Sequence, residues 1–496
     1  MSKENSMIAL AFDLGGSSGK AVAGRFDGRR LHVHEIHRFR NDSVRVSGRL
    51  HWDILRLLHE IKQGIAAAAT AGLGDIESLA VDAWGCDFGL LDRHQELIGN
   101  PYHYRDELAR GAMDEVLQIV PRTEIFARTG CQFLPINTLY QLYALRQARA
   151  KTLERAATLL LIPDLLRYFL TGEATTEATI ASTTQFLSIA TGDWDRALLE
   201  RLELPTNFLT AIVAPATPAG RLLPEVADEI GCAAIPVTAV AGHDTASAVA
   251  AMPADGRFAF LSSGTWSLLG TELEQPIVEE RALGWNFANE GGIGGTYRLL
   301  RNIMGLWLVE GRRRAWKRQG RWRGYAAMAA ATLDVPAFQS IIDPNAPAFL
   351  NPVDMPEAIA AFCRVTSQTP PDLQSPGSVM RCVLESLALA YRLALERTEA
   401  LTGYRFPGLH VVGGGTRNET LLQFTADAIG RPVWSGPTEA TAIGNLLGQL
   451  MASGRIGSVG EGRALVRESF PIRTFEPHAR EGWDEAFHRF QALGSM

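Results

Sequence analysis

The apolar residues at the start of the chain fall into short runs separated by polar turns. The run 7–13 ends in an acid and a glycine-rich turn, and strand-like sequence resumes after it. Segment 52–71 instead carries apolar residues at the spacing of one helix face. The pattern predicts strands at 7–13, 20–26, 31–39, 78–82 and 86–91, with a helix at 52–71 before the last two.

The last part of the chain alternates strands with helices. The amphipathic helix 378–401 is stopped by Gly403, and glycines 413–415 follow the next apolar run. Such alternation favours a largely parallel sheet with ligands at the carboxyl ends of its strands. This part predicts helices at 378–401, 418–429 and 440–451, and strands at 409–412 and 433–435.

The middle of the chain repeats the order of elements at its start. A strand at 235–241 precedes a helix of small residues at 245–252, and 257–273 reads as strand, glycine turn and strand. The segments AFDLGGSSGKAV (11–22) and AFLSSGTWSLLG (259–270) place serine and glycine between apolar runs after the same Ala-Phe pair. We interpret the recurrence as an old duplication and predict domains 1–242 and 243–496.

Composition narrows the class of protein. The 496 residues exceed one ordinary core, and the values of 46% hydrophobic and 21% charged residues are typical of a globular protein. The net charge of −6 gives no reason to expect nucleic acid as a partner, and the basic stretch 312–323 is interpreted as a solvated helix face. Five scattered cysteines lack ligand spacing, as expected of reduced thiols. With neither a secretory signal nor a membrane span in the sequence, we expect a cytoplasmic protein, monomeric or homodimeric.

The turn DLGGSSGK (13–20) is a candidate phosphate loop. Its glycines permit a tight turn whose N–H groups can face an anion. A P-loop would open a helix, whereas Lys20 is followed by strand-like sequence, so the turn is a phosphate-binding hairpin or only a hairpin. The loop Ser262–Thr265 and the glycines 413–415 are equally ambiguous, between phosphate or ribose contacts and plain tight connections.

Two carboxylates, Asp244 and Asp13, are candidates for catalysis and metal binding. Asp244 follows an apolar run and opens the helix of small residues, so it is either an ionised proton acceptor or only a helix N-cap. Asp13 ends the first strand beside the candidate phosphate loop, where magnesium or its water would lie.

Eight phrases, in order, resemble the FGGY carbohydrate kinases, a branch of the actin and hexokinase superfamily. They span nearly the whole chain: DLGGSSGK (13–20), VDAWGCDFGLLD (81–92), YRD (104–106), FLPINTLYQL (133–142), GHDTASAV (242–249), LSSGTWSL (261–268), LLRNIMGLWL (299–308) and HVVGGGTRN (410–418). The resemblance implies an α/β fold of two ribonuclease-H-like domains around a central cleft, with ATP and Mg²⁺ as cofactors.

The resemblance also implies a role for individual residues. It makes Asp244 the general base and places magnesium at Asp13. It assigns to ATP the residues Gly16, Ser17, Ser18, Gly19, Lys20, Thr265, Glu310 and Gly414. It assigns to the sugar the residues Gly85, His243, Asp244, Thr245 and Asn302.

Within the family, the phrases resemble most the branch that phosphorylates L-rhamnulose. The implied reaction transfers a phosphoryl group from ATP to the C1 hydroxyl, giving L-rhamnulose 1-phosphate in L-rhamnose catabolism. Another ketose, such as L-fuculose or L-xylulose, remains an alternative substrate. A non-catalytic sugar sensor on the same fold is a further alternative, against which the intact Asp13 and Asp244 count.

Overall fold

The computed structural model describes residues 6–309, 316–317, 320, 324–478 and 481–493. The strands within these residues are β1 (Met7–Leu14), β2 (Ser18–Phe26), β3 (Leu31–Arg40), β4 (Val44–Val46), β5 (Arg49–His51), β6 (Ser78–Ala83), β7 (Phe88–Leu91), β8 (Thr158–Leu161), β9 (Thr176–Glu177), β10 (Ile212–Val213), β11 (Thr217–Arg221), β12 (Pro236–Ala239), β13 (Ala259–Ser263), β14 (Trp266–Leu273), β15 (Ala288–Gly291), β16 (Tyr297–Met304), β17 (Leu409–Val412), β18 (Val433–Ser435) and β19 (Arg473–Phe475).

The α-helices with bounds inside the described residues alternate with these strands. They are α1 (Ile54–Thr70), α2 (Ala112–Ile119), α3 (Arg122–Thr129), α4 (Thr138–Arg155), α5 (Ile162–Thr171), α6 (Ala178–Ala181), α7 (Arg196–Arg201), α8 (Pro224–Ile230), α9 (Asp244–Ala250), α10 (Glu280–Gly284), α11 (Tyr325–Ala330), α12 (Met355–Val365), α13 (Pro376–Thr402), α14 (Glu419–Ile429), α15 (Ala440–Ala452), α16 (Val459–Ser469) and α17 (Trp483–Leu493).

The two large sheets have the same arrangement of parallel and antiparallel strands at their centres. The first has the order β11-β12-β6-β1-β2-β3, in which β1 pairs with β2 antiparallel and with β6 parallel. The second has the order β15-β16-β14-β13-β17-β18-β19, in which β13 pairs with β14 antiparallel and with β17 parallel. Each sheet therefore centres on a hairpin whose first strand also begins a parallel set, which supports the duplication inferred from the sequence.

The elements predicted from the apolar pattern are present, but the sheets are mixed. The predicted parallel pairing of β17 with β18 is confirmed. The expectation of a largely parallel sheet is wrong, because β18–β19 and β13–β14 both pair antiparallel. Hairpins need only a short turn, so antiparallel neighbours enter the sheet without a crossover helix.

The chain forms two compact units assembled from separated segments. Unit 1 comprises 1–252, 272–299 and 440–469, and unit 2 comprises 253–271, 300–439 and 470–496. These spatial clusters divide the chain differently from contiguous halves, so domains 1–242 and 243–496 stay a prediction. Asp244, placed at the start of the second predicted domain, lies in unit 1.

Each unit has its own packing. In unit 1, α9 and α15 approach so closely that a Cβ on Gly444 would lie 1.7 Å from the Ser247 carbonyl oxygen. In unit 2, α13 runs through the hydrophobic core and ends at Gly403, whose φ of 66° suits glycine. Among the described residues, no helix has the length and apolarity needed to cross a membrane.

Candidate active site

The β1–β2 hairpin carries the first candidate phosphate loop. Asp13 and Lys20 face each other across its two strands, with Lys20 Nζ 3.0 Å from Asp13 Oδ2. The Gly15 N–H donates to the Ser18 carbonyl at 2.9 Å, and the Asn41 side chain donates to the Gly15 carbonyl at 2.9 Å. The turn at residues 15–17 is thus braced between two strands, and Ser18–Lys20 already belong to β2, so the segment is a hairpin, as the sequence around Lys20 predicts, and not a P-loop.

A second acid, Asp82, lies beside Asp13 on the neighbouring parallel strand. The two residues are in register, and Asp82 is fully buried. Asn445 Nδ2 donates to Asp82 Oδ2 at 2.6 Å, whereas Asp82 Oδ1 has no hydrogen-bond partner among the described residues. Burial, and then the charge of Asp13, raise the pKa of Asp82 well above its ordinary value.

The turn after β6 holds Gly85, which is packed against a threonine. A Cβ on Gly85 would lie 3.0 Å from Thr183 Cγ2, and the Thr183 hydroxyl accepts the Cys86 N–H at 3.1 Å. A side chain at residue 85 would therefore require Thr183 to shift, whether or not a sugar lies against it.

Asp87 organises the aromatic loops around this turn. Its Oδ2 accepts the indole N–H groups of Trp52 at 2.5 Å and Trp84 at 3.0 Å, and the backbone N–H of Tyr104 at 3.2 Å. Its Oδ1 accepts from Gln141 Nε2 at 2.9 Å. The buried carboxylate of Asp87 therefore joins the loops 84–87 and 104–106, whose proximity could not be inferred from their spacing in the sequence.

The strand end before Asp244 is fixed by another buried acid. Glu177 Oε2 accepts the Gly242 N–H at 2.8 Å, and the Thr179 hydroxyl accepts the His243 N–H at 3.3 Å. Glu177 also accepts two backbone N–H groups at the start of α6. The approach to Asp244 is therefore positioned by Glu177, a residue that the sequence analysis missed.

Asp244 is the first residue of α9, and His243 is the residue before the helix. The Thr245 hydroxyl donates to Asp244 Oδ1 at 3.1 Å, and His243 Nε2 lies 3.5 Å from the same oxygen. Burial raises the pKa of Asp244, against the lowering effect of His243. A carboxylate with a raised pKa is a stronger base than a solvated one, which suits proton acceptance.

His243 lies against two further ionisable side chains of unit 1. Its Nδ1 is 3.1 Å from both Glu290 Oε2 and Arg298 Nη2. Glu290 Oε2 and Arg298 Nη2 are themselves 3.1 Å apart. No sequence pattern indicates this group, because Glu290 and Arg298 are separated from His243 by about fifty residues.

In unit 2 the second hairpin turn packs against the glycine cluster. A Cβ on Gly415 would lie 2.0 Å from Ser263 Oγ, and one on Gly413 would lie 2.9 Å from the Ser263 carbonyl oxygen. A Cβ on Gly414 would meet no atom within 4 Å among the described residues. The structure thus brings the turn containing Thr265 together with the glycine cluster and leaves open space at Gly414.

The remaining predicted residues fall in different places. Asn302 lies half-buried on β16, and the Thr265 carbonyl accepts the Gly305 N–H at 3.2 Å just beyond that strand. Glu310 and most of the basic stretch 312–323 lie outside the described residues.

The acids near the first hairpin fit a magnesium ion. Within the described part of the chain, no group of three or more His, Cys, Asp or Glu side chains is disposed as a metal cage. Magnesium commonly takes only one or two protein carboxylates and completes its shell with water and phosphate oxygens. Asp13 and the unpartnered Oδ1 of Asp82 supply oxygens of that kind.

Family models match both halves of the chain. The model of the FGGY family of carbohydrate kinases, N-terminal domain, matches residues 8–251, and that of the C-terminal domain matches residues 259–453. Fold and site together define a carbohydrate kinase of the actin/hexokinase-like class. The chain belongs to the FGGY family of carbohydrate kinases.

Curated relatives and solved structures agree with this family. A rhamnulokinase of Bacteroides thetaiotaomicron is 42% identical, covering 97% of this chain and 98% of the relative. A rhamnulokinase of Pectobacterium atrosepticum is 41% identical, covering 98% and 96%. The fold is shared with a ligand-bound xylulose kinase of Lactobacillus acidophilus (TM-score 0.79, 16% identity, 99% and 97% covered) and with Plasmodium falciparum glycerol kinase with ADP (0.76, 16%, 99% and 98%).

The Asp87 group gives a pH prediction that needs no ligand. Burial raises the pKa of Asp87 to about 6, while its bonds from Trp52, Gln141 and Trp84 act in the opposite direction. Because the native pKa lies above the unfolded one, the stability contributed by this carboxyl falls as pH rises from about 4 to about 6.

Protonation should weaken the bonds from both indoles. We expect a near-ultraviolet circular dichroism transition with a midpoint near pH 6. Trp84→Phe should reduce its amplitude, and Asp87→Asn should abolish it. A flat signal between pH 5 and 7.5 in the unmodified protein contradicts the assignment.

Proposed function

We propose that this chain transfers the γ-phosphoryl group of ATP to the C1 hydroxyl of L-rhamnulose, giving L-rhamnulose 1-phosphate. The reaction class follows from membership of the family. The choice of sugar is carried by one observation: several curated relatives named rhamnulokinase align over nearly the whole chain at about 40% identity.

Asp244 is the proposed general base. It would accept the proton of the C1 hydroxyl while that oxygen forms its bond to the γ-phosphorus and the bond to the bridging oxygen of ADP breaks. Its raised pKa, its partly exposed side chain and its fixed place at the start of α9 support this role. Positioning of this kind supplies much of the catalysis in phosphoryl transfer.

The phosphates are assigned to the braced hairpin and to magnesium. Lys20 and the N–H groups of the loop Gly16–Gly19 would neutralise and orient phosphate oxygens. A magnesium ion held by Asp13, with Asp82 beside it, would neutralise charge on the β- and γ-phosphates when bound.

The other assignments complete the proposal. Thr265 and Gly414 would contact the nucleotide, together with Glu310. Gly85, His243, Thr245 and Asn302 would contact the sugar. We further propose domains 1–242 and 243–496 for the two family halves, and a cytoplasmic monomer or homodimer.

Asp244→Asn tests the base. The variant should keep its fold and its affinity for ATP but lose about 10²–10⁴-fold in kcat, because no carboxylate remains to take the proton. Steady-state kinetics and calorimetric ATP titration measure the two quantities. Asp75→Asn, at an exposed loop acid, serves as the matched control. A near-normal kcat for Asp244→Asn would remove it from the mechanism.

Gly414→Val tests the nucleotide assignment. A side chain at residue 414 meets open space in the protein, so the fold should tolerate valine while ATP binding weakens. Gly284→Val is the control, since a Cβ there also meets nothing within 4 Å and no nucleotide role is assigned to it. Calorimetry with ATP and with ketose should show a loss for ATP only in the residue 414 variant; unchanged ATP affinity refutes the assignment.

A substrate panel tests the sugar. A polar site discriminates strongly when a wrong epimer leaves buried groups unpaired, and weakly when only a methyl group differs. We therefore expect kcat/KM for L-rhamnulose to exceed clearly those for D-xylulose and glycerol. The preference over L-fuculose, which differs in hydroxyl configuration, depends on how tightly the polar residues enclose the sugar. An ADP-release assay at saturating Mg-ATP measures all four. If L-fuculose or D-xylulose leads, the kinase assignment survives and the choice of sugar fails.

A further inference from the structure

Arg298 is a fully buried arginine with incomplete partners. It lies on β16, and its Nε donates to the Gly291 carbonyl at 2.9 Å. Its Nη1 has no hydrogen-bond partner among the described residues. Buried arginines that serve only structure normally satisfy their donors. The other terminal nitrogen of Arg298, Nη2, lies against His243 and Glu290.

The hydrogen bond between Arg298 and His243 determines which ring nitrogen of His243 carries the proton. Arg298 Nη2 lies 3.1 Å from His243 Nδ1 in a hydrogen bond. A guanidinium has donors and no lone pair to accept with, so Nδ1 must be the acceptor. A ring nitrogen that accepts carries no proton, and the proton of the neutral imidazole is then on Nε2.

That proton lies on the side of Asp244. His243 Nε2 is 3.5 Å from Asp244 Oδ1. We propose that Arg298 is a positioning residue that fixes His243 as its Nε2–H tautomer, so that the imidazole presents a hydrogen-bond donor beside Asp244. Its target is the oxygen on C2 of the ketose, next to the C1 hydroxyl whose proton Asp244 accepts.

Glu290 makes the role of Arg298 necessary. Glu290 Oε2 is 3.1 Å from His243 Nδ1, and a carboxylate at that distance favours a proton on Nδ1. Arg298 opposes this by pairing with Glu290 at 3.1 Å and by supplying its own N–H to Nδ1. Without Arg298, Glu290 would draw the proton to Nδ1, and the ring would either turn a lone pair toward Asp244 or become cationic.

The role in sugar recognition rests on the proposed function, whereas the tautomer does not. Protein labelled with ¹⁵N in its histidine rings reports which nitrogen is protonated through two-bond ¹H–¹⁵N correlation spectra. His243→Gln identifies the His243 signals among the eleven histidines. The ligand-free protein at pH 7.5 should show His243 protonated on Nε2 alone.

Three variants separate Arg298 from Glu290. Arg298→Met should move the proton to Nδ1 or give a doubly protonated ring. Arg298→Lys, which still has donors and no acceptor, should restore the Nε2–H form. Glu290→Gln, which leaves Arg298 in place, should also keep it. If Arg298→Met does not fold, the unmodified protein and the other two variants still decide the question.

A His243 signal protonated on Nδ1, or on both nitrogens, in the unmodified protein overturns the proposal. So does an unchanged Nε2–H signal in folded Arg298→Met. Kinetics add a second measurement: Arg298→Met should raise KM for the ketose about 10-fold, the cost of one hydrogen bond, and leave KM for ATP nearly unchanged. If L-rhamnulose is not phosphorylated at all, the proposed function fails while the spectra still test the tautomer.

Discussion

The burial of carboxylates is the constraint on which the candidate active site depends. Unit 1 removes Asp82, Asp87 and Glu177 from water, and an ionised carboxylate is costly there unless donors surround it. Asp87 receives four donors, and Glu177 receives backbone N–H groups from two places in the chain. These donors belong to the segments that carry Gly85, Tyr104 and Asp244. Satisfying the acids therefore sets the positions of the loops.

Asp82 has fewer hydrogen-bond donors than these acids. Among the described residues it accepts from one donor, Asn445, and the charge of Asp13 lies beside it, so its ionised form is disfavoured. The magnesium ion proposed at Asp13 would favour the ionised form of Asp82 when bound.

The fold could be predicted well from the sequence, and the site only in part. The apolar runs that became β1, β6 and β17 and the helix that became α13 are local patterns, and local patterns determine elements. The mixed character of the sheets was missed, because strand direction depends on which strands become neighbours. Asp244 and the hairpin loop lay inside recognisable phrases. Asp82 lay inside one too, and its place at the end of a buried strand could have marked it.

Glu177, Glu290 and Arg298 had no such signal. Each acts on a residue about fifty or more positions away in sequence, and one sequence contains no record of such proximity. What the structure adds is therefore mainly the set of partners that orient the residues already suspected. The same applies to Ser263, whose contact with Gly415 joins two turns that periodicity treats as independent.

The assembly of unit 1 from three chain segments has a consequence for synthesis on the ribosome. Asn445 donates to Asp82, and Gln449 donates both to Asn445 at 2.8 Å and to the Leu10 carbonyl at 3.1 Å. The first strand, β1, therefore lacks this hydrogen bond until α15, which lies more than four hundred residues later in the chain, has been synthesised. A nascent chain that has reached Met252 lacks these partners and exposes the face that α15 will cover. Completion of the amino-terminal unit is consequently a late event, and the intervening segments must avoid premature association until then.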